Sequence, residues 1–132
     1  MTKRLTTLLS LLALAAFLPL AGTQARAAAA NPITIVHCFV TQPKPFSHNA
    51  SGTQITYINE GHKTAKNVTF QVTYRNAESK FTRKVTDSGS FEPGQEIDHH
   101  FDLFKDVTYA GKNVQSCYAI QVKYSDGSIW RS

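Results

Sequence analysis

Asn67-Val68-Thr69-Phe70-Gln71-Val72-Thr73-Tyr74-Arg75 decides the fold class of this chain. Val68, Phe70, Val72 and Tyr74 alternate with Asn67, Thr69, Gln71, Thr73 and Arg75. A period of two over nine residues describes a strand with one face in a core and the other in water. The same device recurs near the C-terminal end. There Tyr118, Ile120, Val122 and Tyr124 alternate with Cys117, Ala119, Gln121, Lys123 and Ser125. Asp126-Gly127 follows as a type I′ hairpin signal, and Ser128 to Arg131 forms a short return strand carrying Trp130.

Weaker strands fill the interval. Ile33 to Val40 is apolar on both faces, the pattern of a covered strand. Thr53 to Asn59 leaves its inward set open between Ile55 with Tyr57 and Ile58, and Phe81 to Val85 is short and basic. In Ile97 to Phe104, Ile97, His99, Phe101 and Leu103 oppose Glu96, Asp98, His100 and Asp102. Turn signals separate these runs at Asn59-Glu60-Gly61, Asn76 to Ser79, Asp87-Ser88-Gly89 and Pro93-Gly94, the last suited to a type II turn. No segment after the leader has helical period. Seven short strands in about 100 residues predict an all-β fold, an antiparallel Ig-like β-sandwich. Thr41 to Gly52 and Lys105 to Gln115 read as longer loops, the usual place for function on a rigid sandwich.

The turn Asn59-Glu60-Gly61, the strand from Asn67 to Tyr74, and Phe91-Glu92-Pro93-Gly94 before a further strand resemble exported bacterial Ig-like and fibronectin-III-like modules, including the CARDB-like group. The resemblance spans roughly Ile33 to Trp130 and implies a β-sandwich without transferable chemistry. The chain departs from antibody-type domains, because Trp130 follows Cys117 and Gln115 stands two residues before that cysteine.

Lys3-Arg4, the apolar run from Leu8 to Leu20, and Ala25-Arg26-Ala27 read as a signal peptide over residues 1–27. An uncleaved anchor is the alternative. Residues 28–132 then form a single domain that is exported, to the periplasm or the extracellular space, with no stable membrane insertion once the leader is removed. The whole chain carries 14 Lys and Arg against 9 Asp and Glu; loss of Lys3, Arg4 and Arg26 leaves 11 against 9, a net charge of +2. The densest basic cluster is Arg83-Lys84 with Lys80, read as an ordinary solvated face, so nucleic acid is not an expected partner.

Cys38 and Cys117 are the only cysteines, and an even count in an exported chain reads as one disulfide, with a reduced pair or a metal-binding pair as alternatives. Cys117 shares its side of the alternation with Gln121 and Lys123. The disulfide is therefore expected to staple the first strand to a neighbour near an edge, without pinning the two sheets through the core.

The histidines after the leader are His37, His48, His62, His99 and His100. His99 and His37 lie on the more apolar faces. His99 and His100 point to opposite faces of their strand and do not easily bind one ion. His100 shares a face with Asp98 and Asp102, which suits a surface site, and Asp98, His99, His100 and Asp102 are the candidate ligands of the alternative reading, a divalent-metal carrier. A blue-copper site fails, since no His follows Cys117 closely and the only Met is Met1. No G-x-S-x-G or Ser-x-x-Lys signature occurs, and the expected protein is not an enzyme and holds no cofactor. Phe46, Phe104, Tyr109 and Trp130 are aromatics of loops and strand ends, suited to protein or glycan contact or to capping the sandwich, the preferred role for Trp130. Phe46, Tyr109, Lys112 and Trp130 are the candidate binding residues, and a protein or glycan the expected partner.

Overall fold

The computed structural model describes residues 29–41, 52–104 and 112–132. The expected leader, together with Phe46, His48 and Tyr109, lies outside the described residues. The strands are β1 (Ile33–Thr41), β2 (Gly52–Asn59), β3 (Ala65–Arg75), β4 (Lys80–Phe91), β5 (Glu96–Phe101), β6 (Val114–Tyr124) and β7 (Ile129–Arg131). They form two antiparallel sheets, ordered β1-β2-β5 and β4-β3-β6-β7. Between the sheets, β1 meets β6 and β5 meets β4. Tyr57 of β2 meets Phe70 of β3 edge to face, with ring centroids 4.9 Å apart. The expected all-β sandwich is the fold.

The alternation of β3 is realised as written. Val68, Phe70, Val72 and Tyr74 are fully buried, and β2 adds Ile55 and Tyr57 from the other sheet. Burying side chains of this size contributes about 1.5–3 kcal/mol each. Pro93-Gly94 makes the expected turn: Gly94 has φ +77°, and Gln95 N–H donates to Glu92 O at 3.1 Å.

Other segments correct the reading, and two of the corrections share a cause. In β1 the pairing steps from Ile35–Tyr57 to His37–Thr56, so Val36 is a bulge. In β6 it steps from Gln121–Thr69 to Ala119–Phe70, so Ile120 is a bulge. An extra residue moves every side chain beyond it to the opposite face. Tyr118 therefore points outward and is 61 % exposed, whereas Cys117 and Ala119 are buried. His37 turns outward and Cys38 turns in. The expectation that the disulfide would leave the sheets unpinned is overturned: Cys38 of β1 and Cys117 of β6 are bonded across the two sheets, with Cα atoms 6.0 Å apart. Its lateral position does match the edge placement, because β1 is the outer strand of its sheet. As an edge, β1 is not the covered strand its composition suggested, and Val36 and Phe39 are exposed.

Asp87-Ser88-Gly89 is not a turn but part of β4, which runs on to Phe91 opposite Ala65. The polar side chain that suggested a turn is accommodated inside: Asp87 is 1 % exposed and hydrogen-bonded. The β6–β7 hairpin is not type I′. Only Gly127 in it has positive φ, +83°, and Gly127 N–H donates to Tyr124 O at 3.0 Å, giving a three-residue loop with a left-handed third residue. Asp126 Oδ1 accepts from both the backbone N–H and the hydroxyl of Ser128, which fixes that shape. Finally, β5 stops at Phe101. Phe104, of whose two readings burial fits capping and not contact, adopts φ 62° and is fully buried, with its ring 5.6 Å from that of Tyr74 and under the Arg83 guanidinium at 5.1 Å.

Candidate functional site

The segments read as loops leave the same end of the sandwich. Thr41 pairs with Gly52, Thr53 with Phe101, and Arg75 with both Lys80 and Val114. Lys112 is exposed at this end. Trp130 is at the other end, so the two candidate binding residues that are described do not share a site. Trp130 packs against the core, as its capping role requires, and its indole N–H donates to Ala29 O at 3.1 Å. Beside it lies a groove of about 600 Å³ between the Ala29–Pro32 segment, His62 and Lys63, and Tyr124. Lys63 forms an ion pair with Asp126 at 2.7 Å and sits 5.7 Å from the Tyr124 ring centroid.

The four candidate metal ligands are divided. Asp98 Oδ1, on the outer face of the three-stranded sheet, accepts from Gln54 Nε2 at 2.6 Å and Thr56 Oγ1 at 2.8 Å. These bonds hold its carboxyl below the usual range. His100 is exposed on the same face, opposite Gln54, and Asp102 is exposed beyond the strand. His99 faces the other way. It stacks on Phe101 with centroids 4.4 Å apart, and its Nδ1 lies 2.8 Å from Asp87 Oδ1. Among the described residues no three His, Cys, Asp or Glu side chains are grouped to hold a metal ion.

Tyr57, Asp87 and His99 form instead a polar link between the sheets on the side opposite the disulfide. Tyr57 OH donates to Asp87 Oδ2 at 2.8 Å. Burial first, and the Asp87 carboxylate second, push the Tyr57 hydroxyl far above its ordinary range. A carboxylate can only accept, so in this contact the proton is carried by His99 Nδ1. The sandwich is thus closed laterally by a covalent link at β1–β6 and a hydrogen-bonded one at β4–β5.

The side chains that sequence reasoning missed lie on the outer face of the four-stranded sheet. Register builds it in rows. Lys80, Arg75 and Val114 form one row; Thr82, Thr73 and Ser116 the next; then Lys84, Gln71 and Tyr118; then Thr86, Thr69 and Gln121; and last Ser88, Asn67 and Lys123. Arg131 of β7 extends the fourth row, its Nε donating to Gln121 Oε1 at 3.3 Å. Neighbouring hydroxyls bond each other, Thr69 with Thr86 at 2.9 Å and Thr73 with Thr82 at 3.1 Å. A hollow of about 430 Å³ lies between Arg75, Lys80, Val114 and Tyr118.

This face is cationic without being conspicuous in the sequence. Arg75, Lys80, Lys84, Lys123 and Arg131 lie on it, and none of its rows contains an acid. The bordering acids are in turns: Glu78 at one end, and Asp126, paired with Lys63, at the other. The opposite sheet presents Glu96, Asp98, His37 and His100 outward, without Lys or Arg on its described strands. Charge is therefore segregated by sheet. The Lys80, Arg83, Lys84 cluster of the sequence is itself split, since Arg83 turns to Phe104 while the two lysines face out.

No family model matches the chain, and no curated protein or solved structure matches it.

Asp98 and Asp126 give the protein a defined acid response. Both carboxyls are held below their usual range, Asp126 chiefly by Lys63 and Ser128. The unfolded chain therefore takes up protons first, and this part of the stability, present above about pH 4, is lost as pH falls further. Urea midpoints measured from pH 5 to pH 2 should decline, and less steeply in Asp126→Asn.

Proposed function

We propose that the protein is an exported, non-catalytic interaction module of Ig-like or fibronectin-III-like type, working in the periplasm or outside the cell. The observation that carries this reading is the separation of charge between two rigid sheet faces, with the cationic one also presenting Tyr118 and Val114 in the open. Such a surface recognises a partner by complementarity and asks no group to transfer a proton or a bond. The two antiparallel sheets, β1-β2-β5 against β4-β3-β6-β7, support a β-sandwich module. The inter-sheet disulfide accords with an oxidising compartment.

A carrier of divalent metal would behave differently. Its melting temperature should rise with zinc or copper, following RT ln(1 + [L]/Kd). The module should melt at the same temperature with zinc, with copper and with chelator. A rise that is lost in His99→Ala and His100→Ala would overturn the reading.

A further inference from the structure

We infer that the outer face of the four-stranded sheet binds a linear acidic polysaccharide, through Arg75, Lys80, Lys84 and Tyr118. This rests on the reading of the chain as an interaction module and names the chemistry of its partner. The first argument is charge: these cations stand on a face whose rows hold no acid, while the other sheet carries Glu96 and Asp98. An anionic chain approaching the domain is drawn to one side and repelled from the other.

The second argument is what lies between the cations. Lys80 and Lys84 are four residues apart on one strand, a separation of about 14 Å. Hydroxyls fill the interval, Thr82 on β4 and Thr73 on β3, and the Gln71 amide stands beside Lys84. Widely spaced charge with hydrogen-bonding groups between matches a chain that alternates carboxylates or sulfates with hydroxyls. Tyr118 stands at the margin of the same row as Lys84 and Gln71, 61 % exposed, and offers an aromatic plane to a sugar ring.

A nucleic acid fits the face less well. Duplex DNA carries a charge about every 1.7 Å and is bound by dense Lys and Arg contacts. Single strands are held by successive stacked bases, and Tyr118 is the only aromatic in these rows. The hydroxyls also hold one another in Thr69–Thr86 and Thr73–Thr82 pairs, which presents an ordered array to an extended ligand.

The experiment is isothermal titration of the oxidised, leader-free protein at low salt with alginate, dextran sulfate, uncharged dextran and single-stranded DNA. Alginate or dextran sulfate should bind and dextran should not, and the stronger of the two distinguishes carboxylate from sulfate recognition. Lys84→Gln and Tyr118→Ala should each weaken binding about tenfold. Lys63→Gln, an equal loss of charge at the far end, should leave it within twofold. Equal weakening by Lys63→Gln would reduce the effect to net charge and overturn the site. Tighter binding of DNA would reassign the face to nucleic acid. Absence of polyanion binding, with salt-dispersed oligomers at low ionic strength, would reassign it to the acidic sheet of a second copy. Absence of both overturns the ligand class, while melting that ignores zinc and copper would leave the module reading intact.

Discussion

Replacing Cys38 and Cys117 together by alanine should lower the unfolding free energy by about 4 kcal/mol. The bond closes a separation of 79 residues, so the unfolded chain regains a large loop when it is cut. The chain-entropy relation gives roughly 4.5 kcal/mol for a loop of that length, and removal of a native disulfide from small secreted domains costs about 2–5 kcal/mol. The position adds to the effect. The bond joins β1 to β6 across the sheets, and β1 otherwise pairs only with β2. Without it, the edge strand should fray first. Equilibrium urea unfolding of the double variant checks the magnitude, and amide exchange checks the order: protection should fall in β1 well before β3. A loss below about 1 kcal/mol would show that the sandwich closes on that side without covalent help.

On the other side, Asp87→Ala should cost about 3 kcal/mol. The substitution leaves the Tyr57 hydroxyl in the core without its acceptor and removes the partner of His99. An unmet buried polar group costs about 1–3 kcal/mol, and the vacated volume adds to it. Tyr57→Phe alone should cost less, since Asp87 keeps His99. The double variant should be more stable than the sum of the single losses implies, because the hydroxyl that Asp87→Ala orphans is then absent. A coupling of at least 0.5 kcal/mol in this cycle is the expected result. Strict additivity would mean that Tyr57 and Asp87 do not act together in the folded protein.

How much of this was legible depends on the kind of signal each residue gives. The core of β3 was readable because Val68 to Tyr74 obeys an unbroken period of two, and sterics leave a strand no other way to bury four large side chains on one face. Pro93-Gly94 was readable because a backbone angle dictates the residue type. The bulges at Val36 and Ile120 were not, because a bulge is a property of the pairing and leaves no residue type behind. Each one inverted everything beyond it. Hence the alternation alone sends Tyr118 inward and Cys117 outward, which would keep the disulfide from crossing the sheets. Asp87 misled for a related reason: an aspartate next to Ser-Gly favours a turn, and only Tyr57 and His99, distant in sequence, make it stable within a strand.

The cationic face was hidden in the same way. Arg75, Lys80, Lys84, Lys123 and Arg131 are scattered over 57 positions, and residues 28–132 carry 11 Lys and Arg against 9 Asp and Glu, only slightly basic. It takes the registers of β4 on β3, β6 on β3 and β7 on β6 to bring them to one surface. Of the candidate binding residues, Lys112 adjoins that surface at its loop end, whereas Trp130 serves the opposite end of the core. The alternation of β5 in the sequence already sets His99 on the face opposite Asp98 and His100, and the strand keeps them apart.

The measurement that tests the account most directly is a titration of the isotope-labelled, oxidised protein with short alginate fragments, followed by amide and side-chain NMR shifts. The account predicts that the shifts concentrate on Gln71, Thr73, Arg75, Lys84 and Tyr118, with the β1-β2-β5 sheet unmoved. Shifts centred on the groove beside Trp130, or on the His37, Asp98 and His100 face, would contradict it.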